Sequence, residues 1–105
     1  MNLPEISERV RRQAPAFRQT GVTSVFVFGS RARGDYREDS DLDLFVDYDA
    51  LGKPPSYFKL IEIENQLSDE LGIAVSITTK RSLHPLMRNT IEREAIRIIL
   101  WLAIP

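Results

Sequence analysis

The chain contains no cysteine. That absence excludes disulfides, thiol nucleophiles and every zinc site built on thiolates. It contains one histidine, His84, directly before Pro85. His84 reads as a loop residue, and no Ser-His-Asp triad can be assembled around it. Long apolar runs are missing too. The longest, from Ile98 to Ile104, is seven residues, against the roughly 20 that a membrane helix needs, so no membrane insertion is expected. Basic excess is also lacking: 14 Lys and Arg against 15 Asp and Glu leave a net charge of −1. Direct nucleic-acid binding is therefore not expected, since it usually brings a basic surplus. There is no signal-peptide pattern, and with no cysteines the expected location is cytoplasmic. Repeats and low-complexity tracts are absent, and 105 residues read as one domain spanning 1–105.

What is present is unevenly placed. Arg9, Arg11, Arg12 and Arg18 crowd the N-terminal segment, and six of the seven aspartates fall between Asp35 and Asp49. The arginines read as a solvated helix face or, less simply, as a surface for an acidic partner.

Periodicity supplies the elements. Leu3, Ile6, Val10, Ala14 and Phe17 recur at helical spacing, with Pro4 in a first turn and Pro15 predicted to end or kink the helix before Gly21. Ser24 to Phe28 reads as a buried strand. A glycine turn with a short helical start follows at Gly29, and Asp35 to Ser40 is a charged loop. Asp41 to Asp47 alternates, with Leu42, Leu44 and Val46 facing inward. Ser56 caps a helix carrying Leu60, Ile61, Glu64, Leu67 and Leu71, which Gly72 stops. Ile73 to Thr79 alternates again. A last helix is predicted from Leu86 to Ala103, its stripe being Met87, Ile91, Ala95, Ile98 and Leu102. The order gives an α/β (α+β) fold with a small mixed sheet of about three to four strands and helices packed on one side. The first two strands are too closely linked for a helical crossover, which predicts an antiparallel pair.

The last helix carries an apolar surplus. Ile96, Ile99, Leu100, Trp101 and Ala103 lie outside its stripe, so it is apolar most of the way round. Such a surface usually marks an interface. Ile99, Leu100 and Trp101 are predicted to join a helical partner or, without one, a second copy of the chain, with Trp101 as anchor. The alternative is a helix sunk in its own core.

The chemistry concentrates in Val25-Phe-Val-Phe-Gly-Ser-Arg-Ala-Arg-Gly34 and Ser40-Asp-Leu-Asp-Leu-Phe-Val46. Alternation puts Asp41 and Asp43 on one face, about 6–7 Å apart at the backbone. Two carboxylates so placed repel unless a cation lies between them. Oxygen-only ligands suit Mg²⁺, which completes its shell with waters and substrate phosphates. The Gly29-Ser30 turn offers backbone N–H groups for those phosphates. An isolated Asp-x-Asp is usually only a solvated strand, and Ser30 would serve equally as a helix cap. Gly29 to Gly34 has the spacing of a P-loop, but Asp35-Tyr36 follows in place of Lys and Ser/Thr, which rejects that motif. Arg31 and Arg33 read as phosphate or partner contacts, or as solvated side chains.

Gly29-Ser30, ten intervening residues and Asp41-x-Asp43 together resemble the signature of the polymerase-beta-like nucleotidyltransferases. The flanks, with Glu70-Leu-Gly-Ile-Ala-Val75, are similar to those of the minimal nucleotidyltransferase (MNT) family, over roughly Val22 to Ile98. The resemblance implies transfer of a nucleoside monophosphate, usually AMP from ATP, to a hydroxyl. Gly29 and Ser30 would hold the triphosphate, with Arg31 and Arg33 beside them, and Asp41 and Asp43 would hold two Mg²⁺ ions. Such ion pairs clamp the attacking and leaving oxygens of an in-line displacement. The family also implies a HEPN-domain partner, an RNase toxin that the MNT protein neutralises by adding AMP to a tyrosine.

The chain departs from the family at Val75-Ser76-Ile77, where the third carboxylate lies in a pattern like Val-Asp-Leu. Alternation still aims Ser76 at the site. Serine cannot ligate metal as a carboxylate does, nor act as a base near neutral pH, and Asp47 is about 13 Å along the strand from Asp43. Two readings follow. One is an active nucleotidyltransferase acting on a partner protein. The other is a binding module of the same fold that neutralises the partner by contact, with little turnover.

Overall fold

A computed structural model describes residues 1–100. Two helices, α1 (Leu3–Arg11) and α2 (Ala14–Gln19), precede strand β1 (Val22–Phe28), a single helical turn α3 (Ser30–Arg33) and strand β2 (Leu42–Tyr48). Helix α4 (Tyr57–Leu71), strand β3 (Val75–Thr79), helix α5 (Pro85–Glu94) and strand β4 (Ile96–Leu100) follow. The sheet order is β3-β2-β1-β4. As expected, β1 and β2 are antiparallel. β2 and β3 are parallel, joined through α4, because a parallel pair needs a crossover. The mixed sheet and its helices are the fold class that the sequence predicts.

Local chemistry explains the boundaries. Asn2 caps α1, its side-chain oxygen accepting from the Glu5 N–H. Pro15 does not end the N-terminal helix. The break lies at Arg12 and Gln13, and Pro15 occupies the first turn of α2, where its missing N–H has no partner to lose. Ser56 caps α4, and Gly72 stops it in the left-handed conformation at φ +70°. The buried stripe of α4 is Leu60, Ile63, Leu67 and Leu71, whereas Ile61 is 39% exposed. Glu64 lies at the margin of this stripe, with a specific role. Its carboxylate accepts from the Ile77 N–H at 2.8 Å, and Ser68 Oγ accepts from the Val75 N–H at 3.0 Å. Both donors belong to edge strand β3, so α4 covers that edge with polar side chains. At the opposite edge, Arg11 Nε donates to the Ile98 carbonyl of β4 at 2.9 Å.

The main core lies on the face covered by α1, α2 and α4. Leu42, Leu44 and Val46 are fully buried there, with Val25 and Val27 beside them and Ile6, Val10, Phe17 and Leu67 above. The other face carries an aromatic cluster. Phe26 stacks on Phe45 at a centroid distance of 4.6 Å, and Phe28 tilts against Phe45 at 5.7 Å. Phe45 is 1% exposed, although its neighbours along β2 on this face, Asp43 and Asp47, are polar.

The C-terminal region differs from the expectation. The helix ends at Glu94, Ala95 is extended, and Ile96–Leu100 form strand β4, antiparallel to β1. Three isoleucines in five residues lose side-chain freedom in a helix and fit a pleated surface. The unpaired edge of β1 supplies the backbone partners that settle the choice. Ile98 and Ile99 are therefore buried against the sheet, and no residue of α5 is buried. Among the described residues, the helix predicted to carry the surface for a helical partner or a second copy does not continue past Glu94. Leu100 is half exposed, and Trp101, Leu102 and Ala103 lie outside the described residues. Among the described residues no helix is long and apolar enough to cross a membrane.

Candidate active site

The site is built where β1 ends and β2 begins. Phe28, the last residue of β1, pairs with Asp43 of β2, and Asp43 pairs on its other side with Ser76 of β3. Gly29 then turns the chain at φ +73° into α3. A Cβ built on Gly29 would lie 2.5 Å from Asp43 Oδ2. Only glycine leaves room for that carboxylate, and only glycine adopts that backbone without strain. The close approach brings the turn and the carboxylate pair into one place.

Within α3 the first amides to find a helical carbonyl are those of Ala32 and Arg33, both bonded to the Gly29 carbonyl at 3.1 Å. The amides before them, at Ser30, Arg31 and the turn, precede the helical ladder. Asp41 is exposed just ahead of β2, and Asp43 is half-buried. Burial pushes the Asp43 carboxyl above the usual carboxylate range. The charge of Asp41 adds to that push, and Arg33 opposes it. The three side chains therefore share one electrostatic environment.

The two predicted arginines have different fates. Arg33 is exposed, with Nε 3.2 Å from Asp35 Oδ2 and Nη1 3.7 Å from Glu94 Oε2. Arg31 is 2% exposed. Its guanidinium donates to the carbonyls of Ser40, Glu38, Arg37 and Met1, with Ser40 receiving two bonds at 3.0 and 3.2 Å. It also lies over the Tyr36 ring at 4.8 Å. This departs from the expected phosphate contact, because the donors are already committed to backbone. Arg31 clamps the Arg37–Ser40 loop, whose last carbonyl belongs to the peptide leading into Asp41. Nothing in the sequence distinguished this buried arginine from Arg33 two residues later. The separating signal is three-dimensional: the loop folds back over one side of a four-residue helix.

Ser76 is exposed and sits beside Asp43 by strand register. Among the described residues no three His, Cys, Asp or Glu side chains converge as a metal cage. The donor set that is present, two carboxylates with the buried one disfavoured as an anion, suits a hard divalent cation. Sequence reasoning missed Glu94, which pairs with Arg33 from the end of α5. It also missed Lys80, whose Nζ lies 3.8 Å from Asp47 and 3.7 Å from Glu92. The Arg33–Glu94 and Lys80–Glu92 links depend on where α5 ends, which the predicted long helix misplaced.

The chain is similar in sequence and fold to known proteins. Residues 3–98 match the family described as nucleotidyltransferase domain. A Methanocaldococcus jannaschii protein, provisionally named a protein adenylyltransferase, is 43% identical over 98 residues, covering 91% of this chain and 97% of its own length. The protein adenylyltransferase MntA of Thermococcus cleftensis is 40% identical over 78 residues, covering 74% of this chain and 76% of its own length. A solved structure provisionally described as a minimal nucleotidyltransferase superposes with a TM-score of 0.72 at 35% identity, covering 91% of this chain and 95% of that one. The same fold occurs in the structure of a tri-AMPylated Shewanella oneidensis HEPN toxin in complex with an MNT antitoxin. There the TM-score is 0.61 at 15% identity, covering 91% of this chain and 73% of that one. With the family match spanning almost every described residue, the chain belongs to the nucleotidyltransferase-domain family, among the minimal nucleotidyltransferases.

Proposed function

We propose that this single domain is an Mg²⁺-dependent protein adenylyltransferase, moving AMP from ATP to a hydroxyl of a HEPN-domain partner in the cytoplasm as the antitoxin of that pair. The observation that carries the reading is the seat of Asp43 against the Cα of Gly29. It joins a phosphate-binding turn to a carboxylate pair, which neither motif alone requires. Relatives named as protein adenylyltransferases, and a fold shared with an MNT–HEPN complex, support the choice of donor and partner.

In this reading the Gly29-Ser30 turn binds the triphosphate and Arg33 contacts its outer oxygens, leaving Asp35 and Glu94. Asp41 and Asp43 would hold two Mg²⁺ ions, which when bound neutralise charge on the attacking and leaving oxygens. The acceptor oxygen attacks the α-phosphorus, the bond to the β-phosphate oxygen breaks, and pyrophosphate departs. The acceptor proton passes to solvent, since Ser76 supplies no base. Arg31 acts at a distance, by fixing the loop that delivers Asp41.

The position of Ser76 beside Asp43 favours a second reading, a nucleotide-binding module that neutralises its partner by contact. The two separate in one experiment. Purified protein is mixed with a co-expressed HEPN partner, Mg²⁺ and ATP labelled at the α-phosphate. Label on the partner that disappears with Asp41→Asn supports transfer. Tight complex formation without label, at any Mg²⁺ concentration, supports contact inhibition alone.

A further inference from the structure

A second feature lies on the same sheet face as Asp43. Asp47 shares the face of Asp43 by strand alternation and lies about 13 Å further along β2. Beside it opens a cavity of about 490 Å³ lined by Asp47, Tyr48, Lys80, Arg81, Arg88 and Glu92. Its charges are not balanced. Asp47 and Glu92 both pair with the single ammonium of Lys80, at 3.8 and 3.7 Å. Arg81 and Arg88 have no carboxylate partner among the described residues.

Both arginines are held in place without one. The Arg81 guanidinium lies over the Tyr48 ring at 4.9 Å. Arg88 Nη2 donates to the carbonyl of Arg81 at 3.0 Å and of Leu83 at 3.5 Å. Arg88 Nε is buried and has no hydrogen-bond partner among the described residues. An unmet buried donor is costly, and more so when charged. A guanidinium that is fixed in place but not neutralised is suited to an oxyanion that arrives at its open edge.

The charge count selects among oxyanions. Three cations against two carboxylates leave one surplus positive charge in the cavity. A carboxylate neutralises that surplus. A phosphate dianion would overshoot it and face Asp47 and Glu92. We propose that this cavity is an acceptor-docking pocket that takes the carboxylate of an Asp or Glu side chain of the acceptor protein. The proposal rests on the transferase reading above and adds the acceptor's chemistry to it. The distance from Asp43 to the cavity corresponds to about four residues of extended chain at roughly 3.3 Å each. The recognised acid therefore sits about four residues from the acceptor hydroxyl.

The test is made by binding, apart from turnover. The full chain is labelled with ¹⁵N, kept free of divalent metal, and titrated with a blocked Tyr-Ala-Ala-Ala-Glu peptide, its Gln counterpart, and inorganic phosphate. The Nε–H signals of Arg81 and Arg88 are followed. The expected result is a saturable shift of the exposed Arg81 Nε–H with the Glu peptide, at least tenfold weaker with the Gln peptide. Arg81→Gln and Arg88→Lys should each reduce the affinity five-fold or more with the amide spectrum otherwise intact. Should Arg88→Lys not fold, Arg81→Gln alone decides the point. Asp43→Asn should leave the shift unchanged, so a failure of the metal site cannot masquerade as a failure of the pocket. Equal binding of the Glu and Gln peptides, or no shift with either, overturns the proposal. A larger and tighter response to phosphate overturns the assignment to a carboxylate.

Discussion

Removing the Arg31 side chain tests the link between the loop and the site most directly. In Arg31→Ala four carbonyls lose a charged donor, those of Met1, Arg37, Glu38 and Ser40, in a position that is 2% exposed. A hydrogen bond to a charged group contributes about 1.5–3 kcal/mol, and burying the guanidinium offsets part of the sum. Each carbonyl left buried without its donor costs about 1–3 kcal/mol, so three of them would cost at least about 3 kcal/mol. The exposed rim of this loop lets water reach some of the freed carbonyls, so the lower end, about 3 kcal/mol, is expected for Arg31→Ala. Domains of this size stand about 5–15 kcal/mol above unfolding, so the variant should still fold, melting roughly 12–24 °C lower. Urea unfolding followed by far-UV circular dichroism gives the stability. Calorimetry with Mg²⁺ and a non-hydrolysable ATP analogue gives the second readout. Freed from its anchor at Ser40, Asp41 should lose its fixed position, and nucleotide affinity should fall about tenfold, equivalent to about 1.4 kcal/mol. Arg31→Lys keeps the charge but not the planar fork that spans several carbonyls, and should recover less than half of the stability. A loss below 1 kcal/mol in Arg31→Ala, or full recovery with lysine, would refute the clamp.

Gly29→Ala should be more damaging to binding than its size suggests. The backbone at φ +73° and the approach of Asp43 Oδ2 should together cost about 1–2 kcal/mol of stability and abolish measurable Mg²⁺-ATP binding by calorimetry; unchanged affinity would remove the turn from the site. Asp43→Asn should stabilise the metal-free protein at neutral pH. The raised folded value means that folding favours the protonated acid, so the wild type holds its full stability below the ordinary carboxylate range and loses part of it as pH rises through the folded value. Thermal melts in EDTA should therefore show the variant ahead at pH 7 and the two converging below pH 4, and addition of Mg²⁺-ATP should raise the wild type only. Ser76→Asp should speed AMP transfer to the partner by tenfold or more, because general-base catalysis contributes typically 10²–10⁴-fold and the register puts residue 76 beside Asp43; a fast wild type left unimproved would mean that another group already supplies the base.

Much of this arrangement was legible in the chain. Leu42, Leu44 and Val46 alternate with Asp41, Asp43 and Asp47, so the sheet and the acidic face are written in one segment. The glycine turn and the serine cap at Ser56 are equally local. Three things were not legible. Ile96-Arg-Ile-Ile-Leu100 is apolar enough for a buried helix or a strand, and the open edge of β1, 70 residues earlier in the chain, decides between them. Arg31 and Arg33 are alike by type and spacing, and only the fold of the Asp35–Ser40 loop makes one a clamp and the other a surface group. The α4 stripe was read through Ile61 and Glu64 because their spacing fits. A shift of the helix about its own axis instead buries Ile63 and turns Glu64 to the edge of β3.

The means of covering the two sheet edges carries a consequence for the order of folding. The β3 edge is covered by Glu64 and Ser68, which belong to the helix connecting β2 to β3. Its cover arrives with the strand, so β3 is never docked and bare at the same time. The β4 edge depends on Arg11, from the other end of the chain, and its pairing partner is β1. Contacts so distant in sequence form late because their loop must close first. β4 should accordingly be the first strand to leave the sheet in the native state, as a local opening cheaper than global unfolding. Its amides would then exchange with solvent sooner than those of β3, although both are edge strands of five residues.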